Sequence, residues 1–457
     1  MPTDSVTAVS AVGLALTVIM GLLVVALPRR LAIAPVIVLC CYMTLGQAFV
    51  VAGCHFTMIR VLLLFGWTRL IMRGEVRRLR LNQIDWIIIG WTLVSFVAYV
   101  VLWGTGDSVI YKLGAAYNII GFYFLFRMLL YDFDDAVQTI EMAAVLIVPL
   151  AGFMLLEKST GRNIFAVFGG VPEITAIREG VLRCTGPFAH PILAGTFGAT
   201  ILPLFVSLWG IDRRGRFLAI VGSISSLVIA VTSGSSGPVL AAGAAILALA
   251  MWPLRRNMRL IRRGVIISLI CLHFLMKAPV WFVLARVDVF SGSTGYHRAL
   301  LIDSAIKNLK DWWIVGTKST AAWEDEDQHL FDVTNQYIVV GSEGGFLSLL
   351  LFIWIIVRSF RYVGLSEQAA EEWGRPLSEQ FVIWGFGASL FAHAVSYMSV
   401  SYFDQNIVNW YLLLAIIATT GHEFLSSPPY EEAALSDASE LSLPLVTPSG
   451  FAAGSRA

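Results

Sequence analysis

The chain has 457 residues, 57% of them hydrophobic and only 14% charged, with a formal net charge of +1. A soluble domain carries about 25% charged residues, so this composition excludes an ordinary soluble protein. The balanced charge gives no sign of a nucleic-acid partner. Apolar runs of about 20 residues recur along the chain, and each can cross a hydrocarbon core about 30 Å thick as a helix.

These runs predict an all-α, polytopic transmembrane helical bundle of twelve or thirteen spans. Two values are given because the second and third spans are nearly continuous. The predicted spans cover approximately residues 7–27, 31–51, 55–72, 84–103, 113–131, 136–156, 190–209, 217–233, 238–254, 264–284, 336–357, 381–400 and 406–425. They form one transmembrane domain, residues 1–425, and we expect the Pro-, Ser- and Glu-rich residues 426–457 to be a disordered cytoplasmic tail.

Every second connection between the predicted spans is rich in arginine, except the acidic connection at 132–135. These basic connections lie at 29–30, 73–82, 212–216, 255–263 and 358–380. Because Lys and Arg concentrate in cytoplasmic loops, the alternation predicts that these connections face the cytoplasm. The two longest connections, about residues 157–189 and 285–335, then become external loops on the opposite face. Long loops are uncommon unless they are functional or disordered, and both are too apolar and aromatic for disorder, so we expect the functional site there.

Residues 296–313, inside the second long loop, have helical periodicity. One face of this predicted helix carries Leu301, Ala305, Leu309 and Trp312, and the other carries Asp303, Lys307, Lys310 and Asp311. The pattern predicts an amphipathic helix at the membrane interface. In the span that follows, Gly344 and Gly345 are expected to permit close helix packing.

No nucleotide-binding or metal-binding motif stands in the sequence. It has no GxxxxGK[ST], GxGxxG or HExxH pattern and no Cys/His cluster. We therefore expect a protein that works without ATP, a cofactor or a tightly held metal.

Basic side chains predicted near the outer face are the first candidates for function. Arg183 precedes the seventh span and His190 stands at its entrance, Arg298 opens the amphipathic helix, and Arg60 lies inside the third span. An intramembrane arginine is costly and marks a candidate site. Several guanidinium groups on one face favour a phosphate-bearing ligand, because their forked N–H groups match phosphate oxygens. The alternative for each arginine is a structural ion pair, or a snorkelling side chain in the case of Arg60.

A proton acceptor would be needed for chemistry on a hydroxyl group, and His is the usual choice because its pKa lies near neutrality. The candidates are His190, His297, His329, Asp332, His393 and Asp404. The residue types alone leave all six open.

Three stretches resemble the O-antigen ligase/polymerase family of bacterial surface polysaccharide assembly. "RCTGPFAHPILAGTFGATILPL" (183–204) is similar to the family's Arg-x-x-Gly-x-Phe segment, and "TSGSSGPVLAA" (232–242) stands where the family has a Ser-Arg-Gly turn, here without the Arg. "HRALLIDSAIKNLKDWWIVGTKST" followed by "TNQYIVVGSEGGFLSLLLF" is similar to the family's large external loop and the span after it. The resemblance covers about residues 180–360.

The resemblance implies a membrane glycosyltransferase. It would transfer a glycan from an undecaprenyl-diphosphate carrier to an acceptor sugar on the periplasmic face of the bacterial inner membrane, without metal or cofactor. The implied partners are the lipid-linked oligosaccharide, membrane lipid and a chain-length regulator. Where the ligases have His before Asn, this chain has Thr334 before Asn335. That difference favours a polymerase of capsule, exopolysaccharide or O-antigen repeat units.

The expected site combines the residue chemistry with the resemblance. Its catalytic candidates are His297, Asp332 and His393. Its substrate-binding candidates are Arg60, Arg183, His190, Arg298, His329, Asn335, Gln336 and Asp404. Two alternatives stay open, an O-antigen ligase acting on lipid A core and a transporter or flippase of polyprenyl-linked glycans.

Overall fold

The protein consists mostly of helices that follow one another along the chain. The structure is a computed structural model and describes residues 9–51, 54–286, 294–323, 333–403 and 405–426. Three predicted site residues, His329, Asp332 and Asp404, lie outside the described residues, as does almost all of the predicted tail.

The described helices are numbered in chain order. They are α1 (Ala11–Ala26), α2 (Ala34–Tyr42), α3 (Met58–Met72), α4 (Gln83–Trp103), α5 (Gly106–Leu129), α6 (Phe133–Thr160), α7 (Pro191–Ser207), α8 (Arg213–Thr232), α9 (Ser236–Ala250), α10 (Met258–Leu275), α11 (Thr294–Lys307), α12 (Leu309–Trp312), α13 (Gln336–Glu372), α14 (Leu377–Ser396) and α15 (Gln405–Ser426). Two short hairpins join them, β1 (Ala48–Val51) with β2 (Cys54–Thr57), and β3 (Ala176–Arg178) with β4 (Val181–Arg183).

Among the described helices, six are long and apolar enough to cross a membrane: α4, α5, α6, α7 with the turn after it, α8 and α13. A seventh span results if α9 and the helix after it, which meet at a 76° bend, count as one broken span. The mostly helical, multi-pass architecture is therefore confirmed. The larger number of spans and the external position of the two long loops stay predictions.

The continuous helix predicted for residues 31–51 is wrong. α2 ends at Tyr42, and the chain then turns into the β1–β2 hairpin, where Ala48 pairs with Thr57. Two contacts with a distant loop draw the chain out of the helix. Gly46 packs directly on the backbone of Gly170, and the Gln47 side-chain amide donates to the carbonyl oxygen of Phe168. Neither contact can be predicted from the hydropathy of residues 31–51.

α13 is longer than predicted and is broken near its start. It covers 37 residues, and Gly345 inside it has φ 75°, which is not helical. The segment before α13 fills the break: Thr317 N donates to the carbonyl of Ser342 (2.7 Å), and Phe346 N donates to that of Trp313 (2.9 Å). The close neighbour of Gly345 is this segment and not a helix, because a Cβ there would collide with the Ile314 carbonyl. At Gly344 a Cβ would stand 3.5 Å from the backbone of Ser95 in α4.

The basic connections gather at one end of the bundle, which we call the basic end. Arg29 pairs with Asp135 at the start of α6, and Arg255 pairs with Glu367 in the last turns of α13 (2.9 Å). Deeper at this end, Arg127 and Asp85 form a buried pair between α5 and α4. This arrangement agrees with the predicted alternation of the connections.

The starts of α7, α9, α13 and α15 meet at the other end, the loop end. Gln405 Nε2, at the start of α15, donates to the Pro187 carbonyl before α7 (3.3 Å) and to the Met43 carbonyl after α2 (2.9 Å). Gln336 N donates to the carbonyl of Tyr397 (2.8 Å), which ties α13 to the end of α14. The loop end thus brings together the segments that hold most of the predicted site residues.

Candidate functional site

The centre of the loop end is the segment 233–237, which we call the serine-glycine turn; it comprises the turn after α8 (233–235) and the first two residues of α9. It is built of serine and glycine because its neighbours are close. Gly234 has φ 56°, and a Cβ there would stand 2.9 Å from the Leu182 carbonyl oxygen. A Cβ at Gly237 would stand 2.9 Å from Ser399 Oγ. A larger residue at either glycine would push these neighbours apart, so the sequence "SGSSG" preserves a tight junction.

Arg183 reaches this turn from the first long connection. It ends strand β4, and its Nη2 donates to Ser235 Oγ at 2.8 Å. Its Nε is buried and has no hydrogen-bond partner among the described residues. Partial burial, and secondarily the nearby charge of Arg178, lower the pKa of the Arg183 guanidinium. An enclosed cation with an unused donor is suited to an anionic ligand.

Arg298 reaches the same turn from the second long connection. It lies in the first turns of α11 and is only 9% exposed. Its Nη2 is 3.5 Å from the position that a Cβ at Gly237 would occupy. The two predicted arginines therefore lie at the same five-residue segment, Arg183 at Ser235 and Arg298 beside Gly237, although 115 residues of sequence separate them (298 − 183).

The helix that carries Arg298 is confirmed, with one break, and its position at the membrane interface stays a prediction. Prediction placed it at 296–313, and the structure has α11 and α12 with Asn308 between them. Leu301, Ala305 and Trp312 are buried as expected, whereas Leu309, predicted on the same face, is 39% exposed. Asp303, predicted on the polar face, is buried as well: Trp281 Nε1 donates to it at 3.2 Å and Lys307 pairs with it at 2.7 Å.

Two predicted histidines lie on segments that meet at the loop end. His297 directly precedes Arg298 on α11 and is half-buried. His190 is the exposed N-cap of α7, where its Nδ1 accepts from Ile192 N (3.2 Å). Gly195, five residues farther along α7, packs on Ser233 of the turn. Both histidines therefore lie at the loop end.

Arg60, Asn335 and His393 have structural partners that the sequence did not show. Arg60 Nε donates to Asn118 Oδ1 (2.9 Å), and its Nη groups donate to the backbone of Gly114 and of the preceding hairpin. Asn335 is the N-cap of α13, accepting from the backbone N–H groups of residues 337 and 338.

His393 lies inside an aromatic cluster of Tyr397, Tyr402 and Trp410 and is fully enclosed. Its Nδ1 is 2.7 Å from the Tyr402 hydroxyl, and its Nε2 has no partner among the described residues. An enclosed ring cannot reach a substrate hydroxyl directly without rearrangement of these aromatic side chains. Of the described base candidates, His297 and His190 are the accessible ones.

Gln336 leads to a feature that the sequence reasoning missed. It lines a cavity of about 200 Å³ between α4, α5, α13 and α15. Within this cavity Lys112 Nζ pairs with Glu343 Oε2 at 2.7 Å. The sequence does show a lysine and a glutamate, Lys112 and Glu343, each about two turns inside an apolar helix. It does not show that α5 and α13 place these two side chains in the same cavity.

The arrangement at the loop end thus offers two cations at a turn, accessible histidines and a separate polar cavity. Among the described residues, no group of three or more His, Cys, Asp or Glu side chains could hold a metal ion. No model of a known protein family matches the chain, and no curated protein matches it significantly.

Proposed function

We propose that this protein is a membrane glycosyltransferase that uses a polyprenyl-diphosphate-linked glycan as donor and a sugar hydroxyl as acceptor, and that it polymerises surface polysaccharide repeat units. The observation that carries the proposal is the convergence of Arg183 and Arg298 on residues 233–237. Two guanidinium groups from different loops, held at one junction, form a site for a group with several anionic oxygens.

In this reaction the acceptor oxygen attacks the anomeric carbon of the donor sugar, and the bond from that carbon to the diphosphate breaks. The diphosphate leaves with the bonding electron pair, so negative charge grows on its oxygens. Arg183 and Arg298 stabilise that charge, and fixed charges of this type commonly give the largest catalytic contribution. The acceptor proton passes to a base at the loop end, for which His297 has the best combination of position and access.

The test is polymer synthesis from a lipid-linked repeat unit by the purified protein in lipid nanodiscs. Arg183→Ala and Arg298→Ala should lower the rate at least about 100-fold, the size reported for loss of one transition-state charge contact. Lys at either position should restore little, because it lacks the forked geometry. Arg162→Ala is the control, since Arg162 is in the same long connection but forms an exposed pair with Glu173. Wild-type rates in both arginine variants would contradict the proposal.

A transporter of polyprenyl-linked glycans is the second candidate function. It is favoured by the break in α13 at Gly345 beside a cavity that contains an ion pair, since broken helices line the binding sites of many transporters. A transporter would move the lipid-linked unit between leaflets and form no new glycosidic bond. Exchange of the lipid-linked unit between leaflets, with unchanged glycan length, would support the transporter. Lengthening of the glycan chain would support the polymerase, and transfer of the glycan to lipid A core would support a ligase.

A further inference from the structure

We propose that the cavity between α4, α5, α13 and α15 binds one neutral pyranose ring and is the acceptor-sugar subsite of the protein. The acceptor assignment rests on the proposed function, whereas the binding of a neutral sugar ring rests on the cavity alone. Lining residues on α13 run from Gln336 at the loop end to Phe352, so the cavity extends inward from the end that holds the arginines.

The size of the cavity limits the ligand to one ring. Drug-sized ligands occupy about 300–1,000 Å³, and this cavity has a volume of about 200 Å³. A single hexose ring suits such a space, whereas a disaccharide must extend out of it. We place the rest of a growing glycan toward the loop end, where Gln336 lines the cavity.

The charges in the cavity favour a neutral ligand. Lys112 is the buried partner, with 9% of its side chain exposed, and its ammonium lies 4.5 Å from the centre of the Tyr99 ring. Glu343 neutralises it and is the more accessible partner, with 36% of its side chain exposed. A carboxylate or phosphate entering the cavity would meet Glu343 first and be repelled, since like charges in a partly desolvated site are unfavourable.

The walls combine aromatic rings with hydrogen-bonding groups. Aromatic faces are contributed by Trp91, Phe96, Tyr111, Tyr397 and Trp410. Polar groups are contributed by Thr92, Ser95, Asn118, Gln336 and Glu343. A pyranose has an apolar C–H face and a rim of hydroxyl groups, so it can stack on the rings and bond to the polar groups at once. Arg60 fixes one polar wall by donating to Asn118, which gives this arginine a positioning role.

The cavity and the arginine turn share one connecting segment, residues 397–402. Tyr397 and Tyr402 of this segment line the cavity, while Ser399 between them packs on Gly237 of the turn beside Arg298. Gln336 Oε1 accepts from Tyr402 N (2.6 Å), which fixes the segment on the cavity side. A sugar in the cavity and a diphosphate at the arginines would therefore lie on the two sides of a short, anchored segment.

The experiment measures binding of free sugars to the full chain in nanodiscs by saturation-transfer NMR, which detects millimolar affinities. The probes are glucose, galactose and N-acetylglucosamine, with glucuronate as the anionic comparator. Saturable transfer from the protein to the neutral sugars, and none to glucuronate, is expected. Tyr111→Ala should weaken binding about tenfold or more, the effect of losing a contact worth about 1.4 kcal/mol. Tyr111 is half-exposed, so this variant leaves the helix packing intact.

Two further variants make the result specific. Leu113→Ala is the matched control, because Leu113 is on the same helix, is 54% exposed and does not line the cavity. Glu343→Gln leaves the Lys112 cation without its partner and should gain glucuronate binding. Transfer that is absent in the wild type, or equal in the wild type and Tyr111→Ala, would overturn the inference.

Failure of this inference is distinguishable from failure of the proposed function. Arg183→Ala should keep sugar binding while losing polymer synthesis. A wild-type protein that binds the neutral sugars in the cavity but forms no polymer would contradict the proposed function alone. A protein that forms polymer while Tyr111→Ala binds sugars normally would contradict the cavity assignment alone.

Discussion

Arg298 lies beside Gly237: its Nη2 is 3.5 Å from the position that an added Cβ would occupy, an ordinary van der Waals distance. Ser399 Oγ is closer still, at 2.9 Å from that position. The absence of a side chain at residue 237 therefore allows Ser399, on the α14–α15 connection, to pack on the serine-glycine turn next to Arg298.

We expect Gly237→Ala to reduce polymer synthesis about tenfold or more, because the new methyl group would stand 2.9 Å from Ser399 Oγ and displace the segment that packs beside Arg298; misplacement by about 1 Å can cost up to about 100-fold in rate. Gly243→Ala is the matched control on the same helix, since a Cβ there meets nothing within 4 Å. Initial rates at equal protein and donor concentrations give the comparison. Equal rates in the two variants would show that the junction is not catalytically sensitive.

The break in α13 depends on Gly345, where the positive φ and the Ile314 carbonyl both exclude a side chain. We expect Gly345→Ala to lower the free energy of unfolding by about 1–3 kcal/mol from backbone strain alone. Gly364→Ala lies in the regular part of the same helix with open space around it, and it should be neutral or stabilising by up to about 1 kcal/mol. Denaturant midpoints in detergent measure both. A neutral Gly345→Ala would mean that α13 can straighten.

The buried pair between Asp85 and Arg127 should be important for stability at the basic end. Arg127 contacts both carboxylate oxygens (3.1 and 3.2 Å), and the Tyr123 hydroxyl donates to the same carboxylate (2.5 Å). Arg127→Met leaves the Asp85 charge buried without its partner, and such changes cost about 3–5 kcal/mol.

The double variant Asp85→Asn/Arg127→Met should be more stable than Arg127→Met alone, because the uncompensated charge is gone. As a control, Arg162→Met removes one partner of the exposed pair with Glu173 and should cost at most about 1 kcal/mol. If Arg127→Met and Arg162→Met unfolded at the same denaturant concentration, the buried pair would have no special role.

Asn335 offers a test that separates capping from substrate binding. Its Oδ1 accepts from Tyr337 N (3.0 Å) and Ile338 N (3.2 Å), so Asn335→Ala should cost about 1 kcal/mol. Asn335→Ser retains an N-cap oxygen and should keep both stability and polymer synthesis. A serine variant that is as stable as the wild type but inactive would show that Asn335 contacts the substrate instead.

The predictable part of the site was the pair of arginines. Arg183 and Arg298 could be chosen from charge and from their place in the two long connections, because both properties are written in the order of residues. The turn that they share could not be predicted from the sequence, since it depends on which helix ends pack together. Asn335 and Arg60 show the converse: their residue types suggested ligand contacts, while their hydrogen bonds serve the helix end and the neighbouring helix.

The sequence by itself determined that the protein is helical and multi-pass, because runs of apolar side chains must be withdrawn from water whatever surrounds them. The alternating basic connections also predicted which connections share an end of the bundle. The tertiary structure alone decided that residues 31–51 leave the helix at Tyr42, because Gly46 and Gln47 have partners in a loop more than 100 residues away. It alone paired Lys112 with Glu343 across a cavity, since the position of one charge relative to another is set by packing.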